Sequence, residues 1–131
     1  IAFVRSLDWC PYCKAQAKGL EAARAPLEEA GWSLVLLSYD SPETLAGFAE
    51  KNGLTYTMVS DADSEVIRAY GLLNEEMREG SKYWGIPHPA VVFVRTDGTV
   101  GAVLREEGYE KRPEVEAITE TALLLNEAAG S

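Results

Sequence analysis

Four consecutive apolar residues, Leu34-Val35-Leu36-Leu37, constrain this chain more than any other feature. The run is too short for a helix and does not alternate, so the segment from Ser33 to Tyr39 reads as a strand buried on both faces. A sheet covered on both sides requires helices in the flanking sequence. Lys14 to Ala30 supplies one, rich in Ala, Leu, Glu and Lys, with Pro11 suited to a first helical position and Gly31 as a stop. Pro26 is expected to kink or interrupt that helix, because proline removes a backbone bond and clashes with the preceding turn. Upstream, Ile1 to Ser6 is short, apolar and bounded by polar residues, which predicts a second strand and makes the first unit a βαβ crossover.

The same style continues downstream. Ser41-Pro42 is a cap and first-turn pair, Leu45, Phe48 and Ala49 share a helical face, and Gly53 follows as a stop. A short extended piece is expected at Thr57 to Val59. A third helix carries Val66, Ile67 and Tyr70, with Asp63 or Ser64 as its cap and Gly71 after it. From Leu73 to Gly85 the apolar period vanishes, predicting a surface loop of the kind that borders a site. Ala90 to Arg95 and Val100 to Glu106 flank Thr96-Asp97-Gly98-Thr99, a strong hairpin signal. A last helix is expected from Pro113, with Val115, Ile118 and Leu125 turned to the sheet.

With 131 residues, 47% of them hydrophobic, the chain is expected to form a single domain over 1–131. Its formal charge of -9 disfavours nucleic acid and anionic membrane surfaces as partners, and no apolar run is long enough for membrane insertion. The chain opens directly on a strand-like segment at Ile1, so localisation stays open between a bacterial cytoplasm and an extracytoplasmic space, with a removed upstream signal or anchor as one reading.

Trp9-Cys10-Pro11-Tyr12-Cys13 falls where the first strand gives way to the first helix. The unpaired N–H groups and dipole of a first helical turn favour a thiolate there, and thiolate is the reactive species. Two cysteines three positions apart can close a disulfide, so the pair cycles electrons with no cofactor. Buried, inert cysteines are the bland alternative, which Trp9, Pro11 and the strand-to-helix placement oppose. Metal binding is not expected, since two cysteines and one histidine would still need a carboxylate or water to complete a zinc site. His88, the single histidine, is a candidate proton carrier near the thiols.

The motif Trp9-Cys10-Pro11-Tyr12-Cys13 resembles the active site of thioredoxin-like proteins. The middle of the chain is similar to peroxiredoxins of the alkyl hydroperoxide reductase and thiol-specific antioxidant family. The matching stretches are Leu36-Leu37-Ser38-Tyr39-Asp40-Ser41, Phe48-Ala49-Glu50-Lys51-Asn52-Gly53-Leu54, Val59-Ser60-Asp61, Ala69-Tyr70-Gly71-Leu72 and Pro89-Ala90-Val91-Val92-Phe93-Val94. The resemblance implies an α/β thioredoxin fold of the peroxiredoxin-like type, a central mixed β-sheet flanked by helices. It also implies a cis proline at Pro89, facing the cysteine pair and offering a pairing edge to a substrate peptide.

The resemblance to a peroxidase is incomplete. Cys13 falls at the peroxidatic position, but Cys10 stands where the family has threonine, Ser6 where it has proline, and Pro89 where it has an arginine. Arg5 or Arg112 would have to supply that charge from elsewhere. The leading expectation is therefore thiol–disulfide exchange with a protein partner, Cys10 attacking and Cys13 resolving, supported by Trp9, Pro11, Tyr12, Pro89 and His88. The alternative is a thiol peroxidase acting on a small hydroperoxide, with Cys13 peroxidatic and Cys10 resolving. A redox-idle interaction module is a third reading, which retention of both cysteines in this context opposes.

Overall fold

The computed structural model describes residues 1–105 and 111–130. Its elements run β1 (Ala2–Phe3), α1 (Pro11–Glu29), β2 (Val35–Ser38), α2 (Pro42–Asn52), β3 (Thr57–Ser60), α3 (Glu65–Ala69), β4 (Ala90–Val94), β5 (Val100–Leu104) and α4 (Val115–Gly130). The five strands form one mixed sheet in the order β3-β2-β1-β4-β5. β1, β2 and β3 are parallel, and β4 runs antiparallel to both β1 and β5. This is the expected thioredoxin-type sheet flanked by helices.

The absence of alternation in the central strands has a direct cause. Ala2, Val4, Leu36, Val91 and Phe93 pack on one side with Leu20, Leu27 and Ile118 from α1 and α4. Phe3, Leu37, Ala90 and Val92 pack on the other with Ile67 of α3 and Leu72. Both faces of β1, β2 and β4 are therefore core. Each fully buried Phe3, Leu20, Leu36 or Ile67 contributes roughly 1.5–3 kcal/mol from loss of water contact.

α1 runs unbroken through Pro26, contrary to the expected interruption. Ala23 and Leu27 on either side of the proline are both buried, so packing on the sheet outweighs the lost backbone bond. α4 begins at Val115 rather than Pro113. Ser64 stands at the N-cap of α3, one of the two expected positions, but its side chain makes no cap bond; Asp61 supplies it instead, its carboxylate accepting the N–H groups of Val66 at 3.2 Å and Ile67 at 2.8 Å. Ser64 has left-handed backbone at φ 58° in place of the extended conformation of a side-chain cap, and its hydroxyl is turned to the Gly85 carbonyl, to which it donates at 2.6 Å. The hairpin turn forms as expected, with Asp97 accepting from the Thr99 N–H and Gly98 at φ +88°. The expected end of the second hairpin strand at Glu106 lies outside the described residues.

Candidate active site

Cys10 is the N-cap of α1, and Pro11 follows at the first helical position. The Cys13 N–H donates to Cys10 Sγ at 3.3 Å, the bond a serine or aspartate would accept at such a cap. Cys13 lies one turn in, its Sγ accepting the Arg5 backbone N–H at 3.2 Å. Both cysteines are reduced and buried.

Arg112 reaches this pair from the segment before α4. Its Nη2 lies 3.2 Å from Cys13 Sγ and 3.8 Å from Cys10 Sγ, while Nη1 donates to Gln16 Oε1 at 2.8 Å. Gln16 is three residues beyond Cys13 on the same helix, so it fixes the guanidinium over the sulfurs. Of the two arginines the sequence offers, Arg112 brings its side chain to the thiols. Arg5 brings its backbone N–H, and its guanidinium sits 5.0 Å from the Trp9 ring centre.

The Cys13 thiol donates toward Cys10 and holds the Cys10 thiol down at about 5. Burial opposes this, while the Cys13 N–H and the positive charges of Arg112 and Arg5 reinforce it. Cys13 is pushed up, first by donating its proton to Cys10 and then by burial, with Arg112 opposing. The pair thus carries one proton and one negative charge near neutrality, and that charge belongs to both sulfurs.

Trp9 is half-buried and clasped by residues the sequence did not single out. Its Nε1–H donates to Tyr39 Oη at 2.9 Å, and Tyr39 Oη–H donates to the Lys82 carbonyl at 2.5 Å. Tyr83 packs edge-on against Trp9 with ring centres 4.7 Å apart. The loop from Leu73 to Gly85 therefore does border the site. Tyr12, between the cysteines, is exposed.

Pro89 differs from expectation. The peptide bonds of the described residues, including the one before Pro89, are all trans. Leu73 bridges Pro87 antiparallel and the His88 N–H donates to the Leu72 carbonyl at 2.7 Å, which holds this segment extended as it enters β4. The His88 N–H is thereby occupied and cannot pair with a substrate peptide. The His88 side chain is half-buried.

A five-stranded mixed sheet with a reduced cysteine pair at the head of its first long helix defines a thioredoxin-fold thiol protein. The chain belongs to the AhpC/TSA family, whose model matches residues 1–103. It is 37% identical over 90 residues to Peroxiredoxin Bcp of Escherichia coli K12, an overlap covering 69% of this chain and 57% of that protein. The chain thus spans just over half the length of such relatives. In fold it is similar to a peroxiredoxin-like protein from Aquifex aeolicus, with a TM-score of 0.79 at 24% identity, covering 95% of this chain and 69% of that one. Peroxidoxin BcpB from Mycobacterium tuberculosis superposes with a TM-score of 0.75 at 24% identity, covering 99% and 78% of the two chains.

Proposed function

We propose that this protein is a thiol peroxidase that reduces a small hydroperoxide, with Cys13 as the peroxidatic thiolate that attacks it and Cys10 as the resolving thiol. One observation carries the reading: the Arg112 guanidinium and the Arg5 N–H both lie 3.2 Å from Cys13 Sγ. A peroxidase needs donors that stabilise the charge developing on the departing oxygen, and such donors are worth roughly 10²–10³ in rate. The sequence alone shows none at the expected strand position, where Pro89 stands. Arg112 supplies one from the other end of the chain.

In the proposed step, the proton that Cys13 holds toward Cys10 passes to Cys10, the resulting Cys13 thiolate attacks the terminal oxygen of ROOH, and the O–O bond breaks. Cys13 becomes a sulfenic acid, and the leaving alkoxide takes the Cys10 proton to give ROH. The Cys10 thiolate then attacks Cys13 sulfur, expelling hydroxide, which a solvent proton converts to water. The result is a Cys10–Cys13 disulfide, and a dithiol or two thiols from a reducing partner restore the pair.

Thiol–disulfide exchange led by Cys10 is the second reading, favoured by the low Cys10 pKa at a helix N-cap. Stopped-flow mixing of reduced protein with hydrogen peroxide, followed by Trp fluorescence and mass spectrometry, separates the two. The peroxidase reading expects rapid oxidation and a sulfenic acid trapped at Cys13 in Cys10→Ser. Slow oxidation, with ready attack on a disulfide substrate that Cys10→Ser abolishes, would establish exchange instead.

A further inference from the structure

The turn joining β1 to α1 contains neither glycine nor proline between Arg5 and Cys10, so no residue in it has a preset backbone angle. Its shape comes from a buried carboxylate at the end of β2. Asp40 Oδ1 accepts the Ser6 hydroxyl at 2.7 Å, and Oδ2 accepts the Leu7 N–H at 2.7 Å and the Ser38 hydroxyl at 2.7 Å. Ser6 Oγ in turn accepts the N–H groups of Asp8 at 2.9 Å and Trp9 at 3.4 Å. Ser6 and Leu7 are thus bound to Asp40 directly, and Asp8 and Trp9 through Ser6. Hydrogen bonds to an ionised acceptor are roughly twice as strong as neutral ones.

The two ends of this turn are the groups that act on the thiols. Arg5 donates its N–H to Cys13 Sγ, and Cys10 caps the helix. We infer that Asp40 is a positioning residue for the redox pair: through Ser6 and Leu7 it fixes the turn that aims the Arg5 N–H at Cys13 and presents Cys10 at the head of α1. The inference rests on Cys10 and Cys13 being the reacting pair, and not on peroxide being the oxidant. Asp40 touches neither sulfur. Its own negative charge disfavours a nearby thiolate, so charge and positioning act with opposite signs.

That opposition makes the test decisive. Reduced wild type, Asp40→Asn, Ser6→Ala and Ser38→Ala are alkylated with iodoacetamide across a pH series, with mass spectrometry identifying the modified cysteine. Arg5 and Arg112, the charged groups facing the thiols, are unchanged throughout. Loss of positioning raises the titration midpoint in Asp40→Asn and Ser6→Ala by about one unit, so alkylation below the wild-type midpoint slows about tenfold. Ser38→Ala removes two bonds to Asp40, the hydroxyl's to Oδ2 and the one it accepts from the Asp40 N–H, without touching the turn, and shifts the midpoint less. A midpoint that falls in Asp40→Asn would reduce Asp40 to a charge, and an unchanged midpoint with a lowered melting temperature would reduce it to scaffolding; either overturns the inference. If Asp40→Asn lacks native near-ultraviolet circular dichroism, Ser6→Ala decides by the same criteria. Wild type that alkylates readily at low pH but ignores peroxide would remove the peroxidase reading and leave this inference standing, whereas an ordinary thiol midpoint in wild type would overturn it.

Discussion

The guanidinium of Arg112 lies 3.2 Å from Cys13 Sγ, joining positions 99 residues apart in the chain. A fixed cation at a buried sulfur stabilises both the resting thiolate and the charge that leaves with the peroxide oxygen. Arg112→Gln is expected to slow peroxide oxidation by about 10²-fold. Arg112→Lys should recover part of the loss, since an ammonium supplies charge without the planar fork that reaches Gln16 and both sulfurs. Stopped-flow rates for the three proteins check this, and a Gln variant as fast as wild type would move the peroxide site away from Arg112.

The Cys10 thiol, held at about 5 against its usual 9.0, makes stability depend on pH in a defined direction. Between those values the unfolded chain holds a proton there that the folded chain has released. Folding is then favoured more strongly as pH rises, fully so above the unfolded value, and the gain is lost as pH falls through about 5. Cys13, pushed the other way, opposes this only in alkaline solution, where the unfolded thiol ionises and the folded one does not. Urea midpoints of the reduced protein should therefore rise from pH 5 to pH 8 by more than those of a Cys10→Ser, Cys13→Ser double variant. Parallel curves for the two would show that the pair carries no charge in the native state.

The sheet was legible because its signals are local. The unalternating run at Leu34 to Leu37 required burial on both faces, and the packing of Leu36 and Leu37 into opposite cores is its physical counterpart. Asp97-Gly98 likewise specifies its turn through neighbouring atoms. The cysteine pair was legible for the same reason, since a helix N-terminus and two thiols three positions apart are written consecutively. What escaped was non-local or depended on a competing bond. Asp40 lies in a stretch that resembles the peroxiredoxins, but its grip on Ser6 and Leu7 exists only once β2 lies beside β1. Ser64 has the chemistry of a cap and stands at the N-cap, but its left-handed backbone turns the hydroxyl to the Gly85 carbonyl and away from the helix N–H groups. Gln16 gave a faint signal through its helical spacing from Cys13, but its partner Arg112 is fixed only by the tertiary fold.

The cap on α3 provides a stability test that leaves the thiols alone. Asp61 is buried and accepts two N–H groups at the start of a five-residue helix that places Ile67 in the core. Asp61→Ala strips both acceptors and should cost about 1–2 kcal/mol. Asp61→Asn keeps one carbonyl acceptor and should cost less. Urea unfolding measures both, and an Asp61→Ala protein as stable as wild type would mean that packing of Ile67 alone holds the helix.

Tyr39 links Trp9 to the loop beside it, and removing its hydroxyl tests whether that link holds the loop down. The oxygen accepts the Trp9 Nε1–H and donates to the Lys82 carbonyl, so Tyr39→Phe keeps the ring and breaks both bonds. A net loss of about 1 kcal/mol is expected, localised to the loop because Asn74–Ile86 and Ser64–Gly85 bonds still anchor its ends. Limited proteolysis should then cut between residues 75 and 84 several-fold faster than in wild type, with little change in the global melting temperature. Trp9 fluorescence should report the same release, since its indole N–H passes from a tyrosine oxygen to water. Unchanged cleavage would show that the Trp9–Tyr83 edge contact suffices to seat the loop, and Tyr83→Ala would then be the variant that frees it.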